Sequence, residues 1–116
     1  MSAAPDAGGS ARFAIQAIVR PDRHTLVLSG ELDCASVDEL QPLVVRICSE
    51  GARDIVLDIT RLSFMDSTGL QAILSAQMVC RDHAVGFMLT PATGAVQRVF
   101  ELTGLTDVLP FARVAG

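Results

Sequence analysis

The chain has 116 residues, half of them apolar, and a formal net charge of -4 at pH 7. That length supports one domain around one core, and no apolar run approaches the roughly eighteen residues that cross a bilayer. Its basic residues are all arginines, scattered along the chain, and Trp and Tyr are absent; this excludes an electrostatic footprint for nucleic acid and the aromatic platforms on which single strands stack.

The first residues, MSAAPDAGGSA, lack the basic and apolar regions of a secretion signal, so a cytoplasmic protein is expected. Residues 1–11 are small, polar and glycine-bearing, a composition that reads as a flexible tail. Phe13, Ile15, Ala17 and Val19 then alternate along a first strand. PDRH supplies a turn, and TLVLSG, residues 25–30, a second strand that closes a hairpin with the first.

In ASVDELQPLVVRIC the spacing of Leu40, Leu43, Val44 and Ile47 predicts a helix. Ser36 and Glu39 are placed as a capping box and Gly51 as its stop. Pro42 lies beyond the first turn, where it removes one backbone hydrogen bond and is expected to kink the helix. RDIVLDIT, residues 53–60, is a nearly continuous apolar run and predicts a central strand covered on both faces. A second helix is expected from Ser67 to Arg81, with Leu70, Ile73, Leu74 and Met78 on its buried face.

AVGFMLT follows as a further buried strand. A third helix is expected to start at Pro91, to bury Val96, Val99 and Phe100 and to close near Gly104, before a short last strand at residues 108–111. Strands alternating with helices predict a single α/β domain, a sheet of four to five strands with the helices packed on it. Cys34, Cys48 and Cys80 are widely spaced without a CxxC pair, so reduced, partly buried thiols are expected rather than a metal site or a disulfide framework.

LSFMDSTG follows the central strand, at the end of an α/β sheet where ligands and partners bind. Asp66 or Ser67 can cap the helix, and a phosphate on Ser67 would meet the open amides and the positive end of the helix dipole. It would add roughly -1.5 to -2 charges at pH 7. Gly69, without a side chain, is expected to let a partner's backbone or a phosphoryl donor come close. Capping alone would also account for an Asp-Ser-Thr cluster.

Three stretches carry a resemblance. LSGELD (28–33), IVLDITRLSFMDSTGL (55–70) and VQRVFELTGL (96–105) resemble the STAS domain, most of all the single-domain anti-sigma factor antagonists of bacteria. The resemblance covers about residues 13–112 and assigns 12–114 to a STAS domain with a mixed sheet. It implies a partner switch. The unphosphorylated antagonist binds an anti-sigma factor that is also a GHKL-type serine kinase, and so frees the sigma factor; phosphorylation ends the binding and a serine phosphatase restores it.

The resemblance further implies Ser67 as the phosphorylation site, and Asp33, Asp66, Thr68 and Gly69 with Ser67 on the partner-binding face, Thr68 helping to hold the helix end. Asp58 corresponds to a polar residue that organises the loop. No cofactor, metal or membrane is implied, and a monomer suffices. The chain departs from the family pattern at Pro42 and at RDHAVG, where the family commonly has a glycine after the second helix; His83 there reads as an incidental surface residue.

Two roles on the same fold stand as alternatives: a regulatory subunit of a lipid-transport ATPase, and a subunit of a stress-signalling assembly. An enzyme with Ser67 as nucleophile is not expected. Nucleophilic serine chemistry needs a base within reach; His24 precedes its strand, and His83 ends a helix of about fifteen residues that spans about 22 Å.

Overall fold

The computed structural model describes residues 12–106 and 108–111. The expected flexible tail, 1–11, and the last residues of the expected domain, 112–114, lie outside the described residues.

Strand β1, Phe13–Val19, pairs antiparallel with β2, His24–Leu32, across a turn in which the Arg20 and Arg23 backbones bond each other. This is the expected hairpin. β2 runs two residues past the expected Gly30, because Glu31 and Leu32 find partners in Phe64 and Met65 of β3, Asp54–Met65. β4, Gly86–Leu89, adds to the other side of β3. The order is β1-β2-β3-β4, with β2, β3 and β4 parallel, so β3 is central in a mixed four-stranded sheet. The expected last strand at 108–111 reduces to one bridge, Leu89 to Phe111.

β3 also exceeds expectation, since the sequence run ended at residue 60. Two irregularities explain the difference. Val27 faces Asp58 but Ser29 faces Arg61, and Gly30 faces Leu62 but Glu31 faces Phe64, so β3 gains an extra residue twice. Each bulge shifts the inward side chains by one position. Buried residues accordingly fall at Ile55, Leu57 and Ile59, then at Leu62 and Met65, a spacing that changes from two to three.

Among the described residues three helices complete the fold: α1, Val37–Ser49, α2, Ser67–Asp82, and α3, Gly94–Leu102. Leu40, Val44 and Ile47 of α1 and Leu70, Ile73, Ala76 and Cys80 of α2 share one core with Leu26, Leu28, Ile55, Leu57 and Ile59 of the sheet. Each large aliphatic side chain buried there contributes about 1.5–3 kcal/mol. Met78, expected on the buried face of α2, is exposed. Leu70 and Ile73 are buried as expected, and the stripe continues through Ala72, Ala76 and Cys80, on a helix that packs against α1. Phe100 of α3 meets Phe111 edge to face at 5.1 Å.

Local expectations fare unevenly. Ser36 does sit at the N-cap of α1, but its side chain makes no capping bond. Its hydroxyl donates to the Glu31 carbonyl at 2.8 Å and accepts from the Asp33 N–H at 2.9 Å, so no capping box forms. Pro42 lies inside an uninterrupted α1 on the solvent face, where water can serve the carbonyl its missing N–H leaves free. α3 begins at Gly94 behind Thr93, not at Pro91. No described helix is long and apolar enough to cross a membrane.

Candidate functional site

β3 ends at Met65, α2 begins at Ser67, and Asp66 alone joins them. The expected loop is thus a single residue. Asp66 is extended, with φ -105° and ψ -171°, and its Oδ1 accepts from the Gly69 N–H at 2.9 Å. The Leu70 N–H bonds the Asp66 carbonyl at 3.0 Å. A helix start leaves its first amides without intrahelical partners, so those of Ser67 and Thr68 stay open. Asp66, not Ser67 or Thr68, is therefore the cap. Ser67 and Thr68 are exposed in the first turn of α2, at the positive end of its dipole.

Gly69 is placed differently from expectation. It is buried, and a Cβ there would collide with the Leu32 carbonyl oxygen and lie 2.8 Å from the Met65 Cγ. Its missing side chain serves a close approach of helix to strand inside the domain. The same approach ties the ends of β2 and β3 together: Leu32 pairs with Met65, so the residues that follow, Asp33 and Asp66, leave adjacent strands at the same end of the sheet.

Asp33 is part of a small network. Its Oδ1 accepts from the Ala35 N–H at 3.0 Å, and its Oδ2 accepts from Arg12 Nη2 at 3.3 Å. Arg12 also pairs with Glu31. That hydrogen bond, and then the charges of Glu31 and Asp33, hold the guanidinium above its ordinary pKa. Arg12, Glu31, Asp33, Ser36 and Glu39 line an open cleft of about 260 Å³ at the end of β2. Arg12 went unnoticed in the sequence, and Ser36 and Glu39 were read only as a helix cap; Glu31 stood inside GELD, the one available signal.

Asp58 acts at the first bulge. Its Oδ1 accepts from the Thr60 hydroxyl at 2.6 Å, the Thr60 N–H at 3.0 Å and the Thr90 hydroxyl at 3.3 Å. Thr90 Oγ1 in turn accepts from the Ile59 N–H at 2.8 Å, replacing a ladder bond where β4 has ended. Burial pushes the Asp58 pKa up, but the bonds from Thr60 and Thr90 and the charge of Arg61 outweigh it and hold the carboxylate below its usual range. Its expected role as organiser fits these contacts, which fix the stretch of β3 that leads to Asp66.

Neither histidine approaches Ser67. His24 opens β2 opposite Ile55, at the far end of the sheet. His83 follows the last turn of α2, its Nδ1 2.9 Å from the Val79 carbonyl oxygen. Its side chain is exposed at the helix end. The turn it stands in keeps the shape a glycine would give: Ala84 takes φ 56°.

A sequence model described as the STAS domain matches residues 14–115. The anti-sigma-B factor antagonist of Staphylococcus epidermidis is 28% identical over 95 residues, spanning 82% of this chain and 88% of that protein. That of Staphylococcus aureus is 29% identical over 86 residues, spanning 74% and 80%. Among solved structures, the unphosphorylated anti-sigma factor antagonist SpoIIAA superposes with a TM-score of 0.71 at 25% identity, over 87% of this chain and 88% of that one. SpoIIAA from Bacillus in the phosphorylated form gives a TM-score of 0.65 at 25% identity, over 87% and 91%.

Proposed function

The chain belongs to the STAS domain family, and from that premise we propose that it is an anti-sigma factor antagonist whose binding is switched by phosphate on Ser67. The observation that carries this reading is the division of labour at the start of α2. Asp66 closes the cap and leaves the adjacent Ser67 hydroxyl exposed and outside it. Similarity to proteins named anti-sigma-B factor antagonists, and to SpoIIAA in both phosphorylation states, supports the same reading.

Unmodified, the protein binds an anti-sigma factor that is also a GHKL-type serine kinase, and the sigma factor is released. The binding face comprises Asp33, Asp66, Ser67 and Thr68, with Gly69 beneath them setting their position. The chain is the substrate and performs no catalysis of its own. Transfer of a phosphoryl group from ATP to Ser67 Oγ replaces a hydroxyl with a dianion next to Asp66. The open amides and helix dipole accommodate it without unfolding, while the added charge disrupts the interface. A serine phosphatase resets the switch.

Intact-mass and site-mapping mass spectrometry of the protein from its own cells, with and without stress, tests this. A phosphate on Ser67 that varies with conditions is the expected result. A chain that is never modified, with a Ser67→Ala variant that behaves as wild type, would overturn it. Co-purification with a transport ATPase would then point to the regulatory-subunit role instead.

A further inference from the structure

Away from the switch, two of the three cysteines lie together. Cys48, in the last turn of α1, and Cys80, in the last turn of α2, place their Sγ atoms 3.8 Å apart, far apart in sequence and both buried. Neither is needed for the cap, the bulge or the cleft. We propose that Cys48 and Cys80 are an oxidation site that closes to a disulfide, pinning the end of α1 to the end of α2.

The chemistry needs a two-electron oxidant, for which hydrogen peroxide is the natural class. The Cys48 thiolate attacks one peroxide oxygen, the O–O bond breaks, and a sulfenic acid and hydroxide form. Cys80 sulfur then attacks the Cys48 sulfur, the S–O bond breaks and a second hydroxide leaves. The two thiol protons end in two waters, and the two sulfurs have given up two electrons.

Cys48 is the attacking group because it retains 5% exposure while Cys80 has none. Burial, and then the neighbouring Cys48, push the Cys80 thiol up to about 12; burial raises Cys48 as well. Thiolate is therefore scarce, and the pair responds to sustained oxidant rather than to brief exposure. The sulfurs must close from contact to a bond of about 2.05 Å, a small movement between helices that already pack together. Exposed Cys34 stands apart from the pair.

The test treats the full chain and its Cys34→Ser variant with hydrogen peroxide over hours, then denatures, alkylates and maps the thiols by mass. The expected product, in both proteins, is a peptide crosslinked through Cys48 and Cys80. The uncleaved chain should lose about 2 Da and its Tm should rise by at least about 5 °C, both reversed by dithiothreitol. In Cys48→Ala the crosslink and the Tm rise should vanish. Should that variant fold poorly, the crosslink map of the wild-type chain decides by itself. Full alkylation of both residues after treatment, oxidation halting at a sulfinic acid on one of them, or bonds formed only through Cys34 would each overturn the proposal.

Discussion

The carbonyl oxygen of Leu32 fills the place where a side chain on Gly69 would begin, so the end of β2 and the first turn of α2 meet backbone to backbone. Neither side can yield: Leu32 is held by the sheet and Gly69 by its bond to Asp66. Alanine ordinarily favours a helix over glycine by about 1 kcal/mol, and overpacking costs about 1–3 kcal/mol. With a backbone oxygen in the way the upper part of that cost, about 2–3 kcal/mol, applies, so Gly69→Ala should lower stability by about 1–2 kcal/mol on balance, seen as an earlier urea midpoint at unchanged slope. A stability equal to or above wild type would show that the strand end gives way.

The three described helices end in the same way, and one does so without glycine. Gly51, Ala84 and Gly104 each follow the C-cap in the left-handed region, at φ 90°, 56° and 74°. In each case the next residue's N–H reaches five residues back: Ala52 to Ile47, Val85 to Cys80, Leu105 to Phe100. Such a cap costs a residue with a Cβ roughly 1–2 kcal/mol. Glycine recovers that but has more entropy to lose, by about 0.5–1 kcal/mol. Ala84→Gly should therefore raise Tm by a few degrees, on the order of 0.5–1 kcal/mol. Gly51→Ala, where an added Cβ meets nothing within 4 Å, should lower it by a similar amount. Differential scanning calorimetry of the pair would expose a contrary order.

The Asp58 carboxylate is held below its usual pKa, and the sign of its contribution follows. The ionised form is favoured in the folded state, so its stabilisation is fully present above the unfolded value and is lost as pH falls through the folded one. The stability difference between wild type and Asp58→Asn should be largest near neutral pH. It should shrink as pH drops below the model-peptide value of 3.8. Urea midpoints at pH 7, 5 and 3 measure it, and a gap that stays constant would remove Asp58 from the acid response.

Much of the fold was legible because period-2 and period-3.6 patterns report burial directly. The hairpin and the central place of β3 follow from those patterns. What stayed hidden depends on partners distant in sequence. β3 reaches Met65 only because bulges shift Leu62 and Met65 back to the core, which breaks simple alternation. Ser36 leaves its expected capping bond for the Glu31 carbonyl, a partner the helix pattern cannot reveal. At the candidate site, residue types and order were visible. The assignment of the cap to Asp66 and the inward reason for Gly69 needed the register of β2 against β3.

If Asp66 is the cap and Ser67 the switch, substitution should separate them. Asp66→Ala removes the acceptor for the Gly69 N–H and should cost about 1 kcal/mol of stability. Ser67→Ala, on an exposed side chain outside the cap, should stay within about 0.5 kcal/mol of wild type. Chemical denaturation of both distinguishes them; a loss at Ser67 as large as that at Asp66 would return the hydroxyl to a structural role.

Binding gives the complementary contrast. Ser67→Ala keeps the unmodified surface but has no hydroxyl to receive a phosphate, so it should hold the anti-sigma factor kinase in the presence of ATP while wild type is released. Ser67→Asp places a permanent charge beside Asp66 and the β2 end, and should weaken binding by at least about tenfold, roughly 1.4 kcal/mol. Both variants should melt within a few degrees of wild type, because the open first-turn amides of α2 favour a negative charge at that end of the helix. Calorimetric titration with the kinase, run beside thermal melts, separates the two effects. Weak binding with unchanged melting locates the switch in surface charge; weak binding with a large fall in Tm would mean that the phosphate acts by unfolding α2.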